Sequence, residues 1–255
     1  MAKLDRGGVK IHYEIHGSGP TLLLSHGYSS TCRMWDGQIA ALKDRYQVVV
    51  WDMRGHGESD YPKDPTLYSE ALTIGDMRAL IDFVGADKAI VGGLSLGGYM
   101  SLAFHASHPG RVRALMLFDT GPGFKKDEAR AKWNATANKR ADDLEARGLE
   151  ALNSSDEVKL VRHRDAKGLA GAARGMLAQQ TDRVIQSLDK IAVPTLVLVG
   201  ANDTNFLAAT DYMAAKIKDA TKAVVPDAGH AANLHQPAHF NRAVEAFLAG
   251  LPLAA

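Results

Sequence analysis

The sequence predicts an α/β fold with a mostly parallel, doubly wound sheet and a helical insertion. Short apolar runs of strand length alternate along the chain with segments of helical spacing. Such runs are typical of strands buried on both faces, as in parallel sheets covered by helices. One long segment between two of the strands carries no strand pattern, and this segment is the predicted insertion.

Length and composition fit one α/β domain with an insertion better than two independent domains. The 255 residues include 30 Lys and Arg against 29 Asp and Glu, a net charge of +1, so nothing favours nucleic acid or an anionic membrane surface as partner. The single cysteine, Cys32, excludes an intrachain disulfide and suits a reducing compartment. We expect a cytoplasmic protein without a signal peptide or a membrane span.

Six apolar runs are predicted to be strands, and an alternating segment from Val9 to Ile15 before them predicts a half-exposed strand. The six runs are Thr21–Ser25, Gln47–Trp51, Ala89–Val91, Val112–Phe118, Pro194–Val199 and Ala223–Val225. Helical spacing is found at residues 74–84, from near Tyr99 to Phe104, and at 243–248. Polar and glycine-rich residues follow the strands, at the edge where ligands bind in such sheets.

Ser95 is the most informative residue, because glycines flank it in the segment Gly93–Gly98 between a strand and a helix. A nucleophile elbow has this organisation, in which a sharp turn presents the serine hydroxyl at the carboxyl end of the sheet. A Cβ at the flanking positions would collide with neighbouring backbone, which accounts for the glycines. The following helix begins at the hydroxyl, and its free N–H groups suit a developing anion.

A serine nucleophile needs a base, and the base needs a carboxylate to orient it. His230 is the best base in the sequence, because it lies in a loop after the last strand. Asp203 and Asp119 each follow a strand, and both satisfy the chain order Ser, Asp, His. We prefer Asp203, whose glycine-containing turn and position after the insertion suit contact with His230, and Asp119 stays open as the alternative.

An oxyanion requires N–H donors that are already in place. The amide of Leu96, at the start of the helix after Ser95, is one predicted donor. The amide of Tyr28 is the other, because the sequence His26-Gly27 allows a tight turn after the strand Thr21–Ser25. The Tyr28 side chain is expected either to line the substrate pocket or to pack beneath the insertion.

Residues 121–190 form the predicted helical cap, and residues 1–120 with 191–255 form the predicted core. The cap is rich in charged residues of both signs, which is typical of solvated helical surfaces. Its apolar side chains are expected to face inward, over the mouth of the site. They are Phe124, Trp133, Leu144, Leu152, Met176 and Leu177. Of these, Phe124, Trp133 and Met176 are the candidate substrate-binding residues, together with Tyr28.

Two further features are interpreted as structural. Asp52 and Arg54 are expected to form a charge-assisted pair that braces the glycine-containing loop from Asp52 to Ser59 beside the oxyanion turn. No Cys-His motif accompanies Cys32, which is therefore expected to be a packed thiol.

No metal site and no cofactor are predicted. Two pairs of histidines could supply metal ligands, but neither has a third ligand at convincing spacing. The pairs are His105 with His108 and His235 with His239. No Gly-Lys-Ser/Thr sequence follows Gly55 and Gly57, so these glycines do not form a phosphate-binding loop.

The whole chain resembles the α/β-hydrolase fold superfamily in the order and spacing of its motifs. The motifs are His26-Gly27, the segment Asp52–Ser59, the segment Gly93–Gly98, Asp203 and Gly229-His230. The resemblance implies a triad of Ser95, Asp203 and His230, with the Leu96 and Tyr28 amides as the oxyanion hole. Haloalkane dehalogenase and epoxide hydrolase members carry aspartate at the nucleophile position. The serine here argues against membership of those two groups.

Within that superfamily, the segments Met34–Gln38 and Gly93–Tyr99 look like small carboxylesterases and 3-oxoadipate enol-lactonases. His235 departs from the pattern, since relatives often carry glutamate there. The resemblance implies a serine hydrolase that cleaves small carboxylic esters, with an enol-lactonase as the alternative. An acidic lactone would need a cation from the cap: Arg130, Lys139, Arg140 or Arg162. A ligand receptor with a vestigial triad is the remote alternative. The expected partner is a small-molecule ester or lactone, and self-association as a homo-oligomer stays open.

Overall fold

A computed structural model describes residues 2–152 and 154–251. Its centre is an eight-stranded sheet of order β1-β2-β4-β3-β5-β6-β7-β8. The strands are β1 (Lys3–Asp5), β2 (Lys10–His16), β3 (Thr21–Ser25), β4 (Gln47–Trp51), β5 (Ala89–Leu94), β6 (Val112–Phe118), β7 (Thr195–Gly200) and β8 (Ala220–Val225). β1 and β2 pair antiparallel with their neighbours, and every pairing from β4 to β8 is parallel. The predicted mostly parallel sheet is confirmed.

The helices lie between the strands and in the connection from β6 to β7. They are α1 (Asp36–Leu42), α2 (Glu70–Phe83), α3 (Leu96–Ser107), α4 (Asp127–Arg147), α5 (Asp156–Lys159), α6 (Ala166–Ala172), α7 (Arg183–Gln186), α8 (Leu207–Lys216), α9 (Ala232–His235) and α10 (Pro237–Ala249). Short 3-10 helices lie at Cys32–Trp35, Pro65–Leu67, Pro109–Arg111, Gly148–Ala151 and Leu188–Lys190, and a π-helix lies at Ala173–Leu177. None of the described helices combines the length and apolar character needed to cross a bilayer.

Helices cover both faces of the sheet because successive strand residues point to opposite faces. On β3, Leu23 packs into one apolar cluster while Leu22 and Leu24 pack into the other. The first cluster contains residues of α2 and α3, such as Met77 and Phe104, and the second contains residues of α1 and α10. The doubly wound architecture predicted from the continuous apolar runs is therefore confirmed.

The carboxyl ends of β3 and β5 lie side by side, with Ser25 paired to Gly93. The chain runs from β3 outward to β4 on one side and then crosses back to β5 on the other side of β3. Ligands of open α/β sheets bind at such a reversal of strand order. The loop after β3 and the turn after β5 therefore share the edge at which a site is expected.

The connection between β6 and β7 carries α4 to α7 and contains no strand among its described residues. Helices α4 and α6 pack against each other through Ala141 and Leu144 on one side and Leu169 and Ala170 on the other. The helices of this connection lie within residues 121–190, the segment predicted to be a helical cap, and we call this segment the cap. Asn153 of the predicted cap, and Met1 and residues 252–255 of the predicted core, lie outside the described residues.

Candidate active site

Ser95 occupies the turn between β5 and α3 with a backbone φ of 55° and ψ of −115°. Non-glycine residues rarely adopt a positive φ, and strain of this kind is held by the surrounding structure. A Cβ on Gly97 would lie 2.1 Å from the carbonyl oxygen of Ser25, and one on Gly93 would lie 2.5 Å from the same oxygen. The Ser95 N–H donates to the Phe118 carbonyl at 2.9 Å. The flanking glycines are therefore required by the close approach of backbones, as the sequence indicated.

His230 and Asp203 form a hydrogen-bonded pair, in which His230 Nδ1 and Asp203 Oδ2 are 2.7 Å apart. The Asp203 side chain is 3% exposed and the His230 side chain 35% exposed, so the carboxylate is held inside and the ring reaches the surface. Phe206 stacks on the imidazole, with ring centroids 5.1 Å apart and an interplanar angle of 22°. Because Nδ1 is engaged, Nε2 is the ring nitrogen left for proton transfer.

Asp119, the alternative acid, accepts a hydrogen bond from the Gly200 N–H at 2.8 Å through Oδ1 and is fully buried. Burial raises the pKa of Asp119 well above its ordinary value; the Gly200 N–H opposes the shift and the nearby Asp203 carboxylate adds to it. The carboxyl is thus a strand-end group bonded to the amide of Gly200, the last residue of β7. Of the two candidates, the structure joins Asp203 to His230.

The turn after β3 packs directly against the serine turn. A Cβ on Gly27 would lie 3.6 Å from Ser95 Cβ. The Ser29 N–H donates to His56 Nε2 at 3.2 Å, and the Ser30 N–H donates to the Gly27 carbonyl at 3.1 Å. These two bonds use the amides of Ser29 and Ser30. They do not use the Tyr28 amide, the predicted oxyanion donor. Leu96, the other predicted donor, is the first residue of α3.

The Tyr28 side chain packs beneath the cap, the second of the two arrangements expected for it. Its hydroxyl donates to the Leu169 carbonyl of α6 at 3.0 Å, and its ring meets His56 edge-on at 5.7 Å between centroids. Burial raises the pKa of Tyr28 above its usual range, against the charges of Arg140 and Arg174. The hydroxyl is therefore a fixed donor to the cap.

The three cap residues predicted to bind substrate differ in burial. Phe124 and Trp133 are partly exposed and contact each other, with ring centroids 5.9 Å apart. The Trp133 Nε1–H donates to the Leu177 carbonyl at 2.8 Å. Met176 is 1% exposed and packs into the core cluster that contains Tyr99. Of the three side chains, those of Phe124 and Trp133 are therefore partly exposed, whereas that of Met176 is not.

The expected ion pair of Asp52 with Arg54 is wrong. Asp52 instead accepts the backbone N–H groups of Cys32 at 2.7 Å and Glu58 at 2.9 Å. Arg54 pairs with Asp76 of α2 through two hydrogen bonds of 2.7 and 2.9 Å. Two separate carboxylates therefore brace the loop. The turn at residues 52–59 points the Asp52 side chain toward backbone amides that need an acceptor, and Asp76 binds Arg54.

One group of metal-ligand side chains was not anticipated from the sequence. Atoms of His12, Glu14 and Cys32 lie within 4.8 Å of one another. The Arg33 guanidinium already contacts the Glu14 carboxylate and lies 3.6 Å from the Cys32 sulfur. Burial raises the pKa of the Cys32 thiol, which agrees with a packed, protonated side chain. A cation at this place would have to displace Arg33.

The histidines of the two predicted pairs have different surroundings, and His239 is exposed. His235 Nδ1 accepts the Gly229 N–H at 2.9 Å, and its Nε2 lies 3.2 Å from an Asp156 oxygen of the cap. His105 is 5% exposed on α3, and the His108 ring packs on Phe104.

Two histidines, His56 and His163, contact the turn after β3, and neither contact was predicted from the sequence. His163 lies in the cap, 134 residues from its partner Ser29. Nothing local in the sequence marks such a contact.

Comparison with known proteins agrees with this architecture. A family model described as "Alpha/beta hydrolase family" matches residues 22–243. The chain is 30% identical to "3-oxoadipate enol-lactonase 2" of Acinetobacter baylyi, over 94% of this chain and 93% of that protein. It is 28% identical to "Putative 2-succinyl-6-hydroxy-2,4-cyclohexadiene-1-carboxylate synthase" of Bacillus subtilis, over 94% and 96%.

Among solved structures, a thermophilic esterase from Thermogutta terrifontis in a malate-bound form superimposes with a TM-score of 0.84. The two are 26% identical, and the match covers 98% of this chain and 99% of that one. Sheet order, the serine turn and the family match agree, and the chain therefore belongs to the alpha/beta hydrolase family.

Proposed function

We propose that the protein is a serine hydrolase that cleaves small carboxylic esters through an acyl-enzyme. Ser95 is the nucleophile, His230 the base and Asp203 the carboxylate that orients it. The observation that carries the proposal is the 2.7 Å pair of His230 and Asp203 at the same sheet edge as the strained turn of Ser95. These are the parts that a serine hydrolase needs, supplied by loops after three parallel strands.

In the acylation half of the reaction, Ser95 Oγ attacks the ester carbonyl while His230 Nε2 takes its proton. The carbonyl π electrons move to oxygen, and the Leu96 and Tyr28 N–H groups stabilise that oxyanion. The intermediate then collapses, the C–O bond to the alcohol breaks, and the imidazolium returns the proton to the leaving oxygen. Each oxyanion donor of this kind is typically worth about 3 kcal/mol of barrier.

In the deacylation half, water replaces the alcohol and repeats the same steps. His230 takes a proton from the water as its oxygen attacks the acyl carbonyl, and the collapse of the second intermediate returns that proton to Ser95 Oγ. Asp203 accepts the Nδ1–H throughout, so it fixes the tautomer and stabilises the imidazolium. No redox partner or metal takes part in these steps.

A fluorophosphonate probe tests the assignment. The wild type is expected to be labelled at Ser95 and to lose esterase activity in proportion, whereas Ser95→Ala is expected to stay unlabelled. Ser101→Ala is the matched control, because Ser101 lies on the same helix with its hydroxyl bonded to the Gly97 carbonyl. Absence of labelling in the wild type, or labelling of Ser95→Ala, contradicts the proposal.

An acidic enol-lactone is the second candidate substrate, and the 30% identity to an enol-lactonase supports it. Such a substrate needs a cation near the site. Lys139 pairs with Asp143 on an exposed face, and Arg130 pairs with Asp127. Arg162 lines a surface cavity of about 370 Å³ on the side of His12. Arg140 is the candidate whose charge acts on the Tyr28 hydroxyl, beneath the cap.

A panel of p-nitrophenyl esters and acidic lactones separates the two substrate classes. If the acidic lactone is the substrate, Arg140→Gln is expected to raise KM for the lactone and leave neutral esters unaffected, while Lys139→Gln changes neither. Turnover of neutral esters with none of the lactone contradicts the second candidate. Slow single turnover with tight product retention would instead favour the receptor alternative.

A further inference from the structure

We propose that His163 of the cap is a positioning residue for the oxyanion hole, acting with His56 through the backbone of Ser29. The inference rests on the proposed function, because it concerns how the Tyr28 amide is aimed. It assigns the cap a part in the chemistry, in addition to covering the substrate.

Ser29 is a residue that must be held in place. Its φ is 58°, in the left-handed region that residues other than glycine rarely adopt. It directly follows Tyr28, so the peptide that carries the Ser29 N–H also carries the Tyr28 carbonyl. Rotation of the Ser29 backbone toward an ordinary conformation would turn this peptide. Through the Tyr28 Cα it would also shift the preceding peptide, which carries the Tyr28 N–H.

Two histidines hold the Ser29 backbone, one from the core and one from the cap. His56 Nε2 accepts the Ser29 N–H at 3.2 Å, and His163 Nε2 lies 2.9 Å from the Ser29 carbonyl oxygen. The other ring nitrogens are also engaged: His56 Nδ1 lies 3.0 Å from the Arg54 carbonyl, and His163 Nδ1 accepts the Gly57 N–H at 3.4 Å.

These partners fix both tautomers. His56 must carry its hydrogen on Nδ1, since its Nε2 accepts, and His163 must carry its hydrogen on Nε2, since that nitrogen faces a carbonyl. Both rings are therefore neutral, and burial lowers the pKa of each. Each ring thus joins two backbone groups, and the His163 bond is the one that comes from the cap.

The rings form a continuous packed row. His26 and His56 have centroids 4.9 Å apart, and His56 and His163 have centroids 5.7 Å apart. His26 Nε2 accepts the Met53 N–H at 2.9 Å, which ties the start of the same turn to the loop after β4. The turn is consequently bound at its first residue by the core and at Ser29 by both the core and the cap.

The cap backbone also approaches the loop that carries His56. A Cβ on Gly55 would lie 2.5 Å from the Gly168 carbonyl oxygen. The Arg164 guanidinium bonds to the Ser59 carbonyl and lies over the Tyr61 ring at 4.9 Å. Arg164 is therefore a cap contact next to His163 that docks on the same loop without touching Ser29, which makes it a matched control.

Four variants test the proposal: His163→Ala, His163→Asn, His163→Gln and Arg164→Ala. The terminal amide of Gln reaches about as far as a histidine Nε2, so its N–H replaces the bond to the Ser29 carbonyl; the shorter Asn does not. The measurements are kcat and KM for a p-nitrophenyl ester, the inhibition constant of an aryl trifluoromethyl ketone, and Tm. The ketone forms a serine adduct that carries an oxyanion, so its affinity reports the hole directly.

We expect the Ala and Asn variants to lose about 10- to 100-fold in kcat with KM nearly unchanged, because a displaced donor weakens the transition state more than the ground state. The ketone should weaken by a similar factor. His163→Gln should restore both values, and Arg164→Ala should keep both even if its Tm falls. If His163→Ala fails to fold, the comparison of the Asn and Gln variants still tests the proposal.

Wild-type kcat and ketone affinity in the Asn variant overturn the inference, as does an equal loss in Arg164→Ala or a failure of Gln to rescue. A wild type that neither turns over ester nor reacts with a fluorophosphonate overturns the proposed function itself, and the inference falls with it. The two failures are thus distinguished by the wild-type enzyme alone.

Discussion

His230 donates its Nδ1–H to Asp203 over 2.7 Å, and the two residues come from loops after adjacent strands, β8 and β7. Asp203 is nearly sealed from solvent, whereas the imidazole is about one-third exposed. A buried carboxylate that holds a solvent-facing imidazole in one tautomer is what a general base at a serine requires.

Asp203→Asn is expected to lower kcat by roughly 10⁴-fold, since an amide in this place favours the wrong imidazole tautomer. Asp119→Asn is the matched control, because the same change is made to a neighbouring buried carboxyl. Burial raises the pKa of Asp119 well above its ordinary value, which favours the neutral carboxyl that an amide resembles. Steady-state kinetics at pH 7.5 separate the two; an equal loss in both variants contradicts the assignment.

Gly97→Ala is expected to abolish most esterase activity and to destabilise the fold. Its Cβ would lie 2.1 Å from the Ser25 carbonyl oxygen, and both groups are backbone that cannot move without displacing Ser95. Gly75→Ala serves as control, because a Cβ there meets nothing closer than an Arg6 side-chain nitrogen at 3.7 Å. This substitution inside α2 should raise the free energy of unfolding by about 0.5–1 kcal/mol. Activity and urea unfolding measure both effects; full activity in Gly97→Ala would show that the turn is not tightly packed.

The buried pair of Arg54 and Asp76 predicts a large stability effect. The two side chains are 3% and 1% exposed, and Arg6 adds a further bond to Asp76 at 3.1 Å. Asp76→Ala leaves a buried guanidinium without its partner and should lower the free energy of unfolding by about 3–5 kcal/mol. Asp143→Ala, which removes the exposed partner of Lys139, should leave the unfolding curve nearly unchanged. Equal urea midpoints for the two variants would contradict this account.

Acid should weaken the fold through the three packed histidines. Burial lowers the pKa of His26, His56 and His163 below the ordinary 6.5, and the Asp52 carboxylate opposes this for His26 and His163. As the pH falls through 6.5, the unfolded chain therefore binds more protons than the folded chain. The contribution of these histidines to stability is full above that pH and declines below it. The slope is about 1.4 kcal/mol per pH unit for each histidine that stays neutral.

Urea unfolding between pH 7.5 and 5.0 measures that slope. His163→Gln removes one of the three titrating groups while keeping the donor to Ser29, so its stability should fall less steeply with acid. The same slope in the variant and the wild type would show that His163 does not contribute.

Much of the fold could be read from the sequence, because burial on both faces leaves a continuous apolar run. The strands Thr21–Ser25, Gln47–Trp51 and Val112–Phe118 have the predicted bounds. β1 was not predicted, because a polar three-residue edge strand has no apolar pattern. β8 begins three residues before its predicted start, since exposed residues at the sheet edge carry little signal.

The start of α3 was indicated by the elbow pattern and not by helical spacing. The spacing predicts a helix only from near Tyr99, whereas the elbow pattern put the start of the helix at Leu96, where α3 begins. Gly97 and Gly98 look like helix breakers in isolation, but they are present because Ser25 and Thr120 lie too close for a side chain. Tertiary packing thus outweighed local propensity.

Residue type and position after a strand were the signals that made Ser95 and His230 candidates. Contacts between residues that are distant in sequence could not be predicted. Arg54 pairs with Asp76, 22 residues away, and not with the nearby Asp52. His163 reaches Ser29 from the cap, where neither spacing nor composition marks one histidine among the charged residues.

Trapping the covalent intermediate tests the central claim most directly. The wild type is mixed with a p-nitrophenyl ester and quenched in acid within the first turnover, and the digest is examined by peptide mass spectrometry. We predict one acyl group per chain, on the peptide that carries Ser95, and none in Ser95→Ala. An acyl group on another residue, or full turnover by Ser95→Ala, would contradict the account.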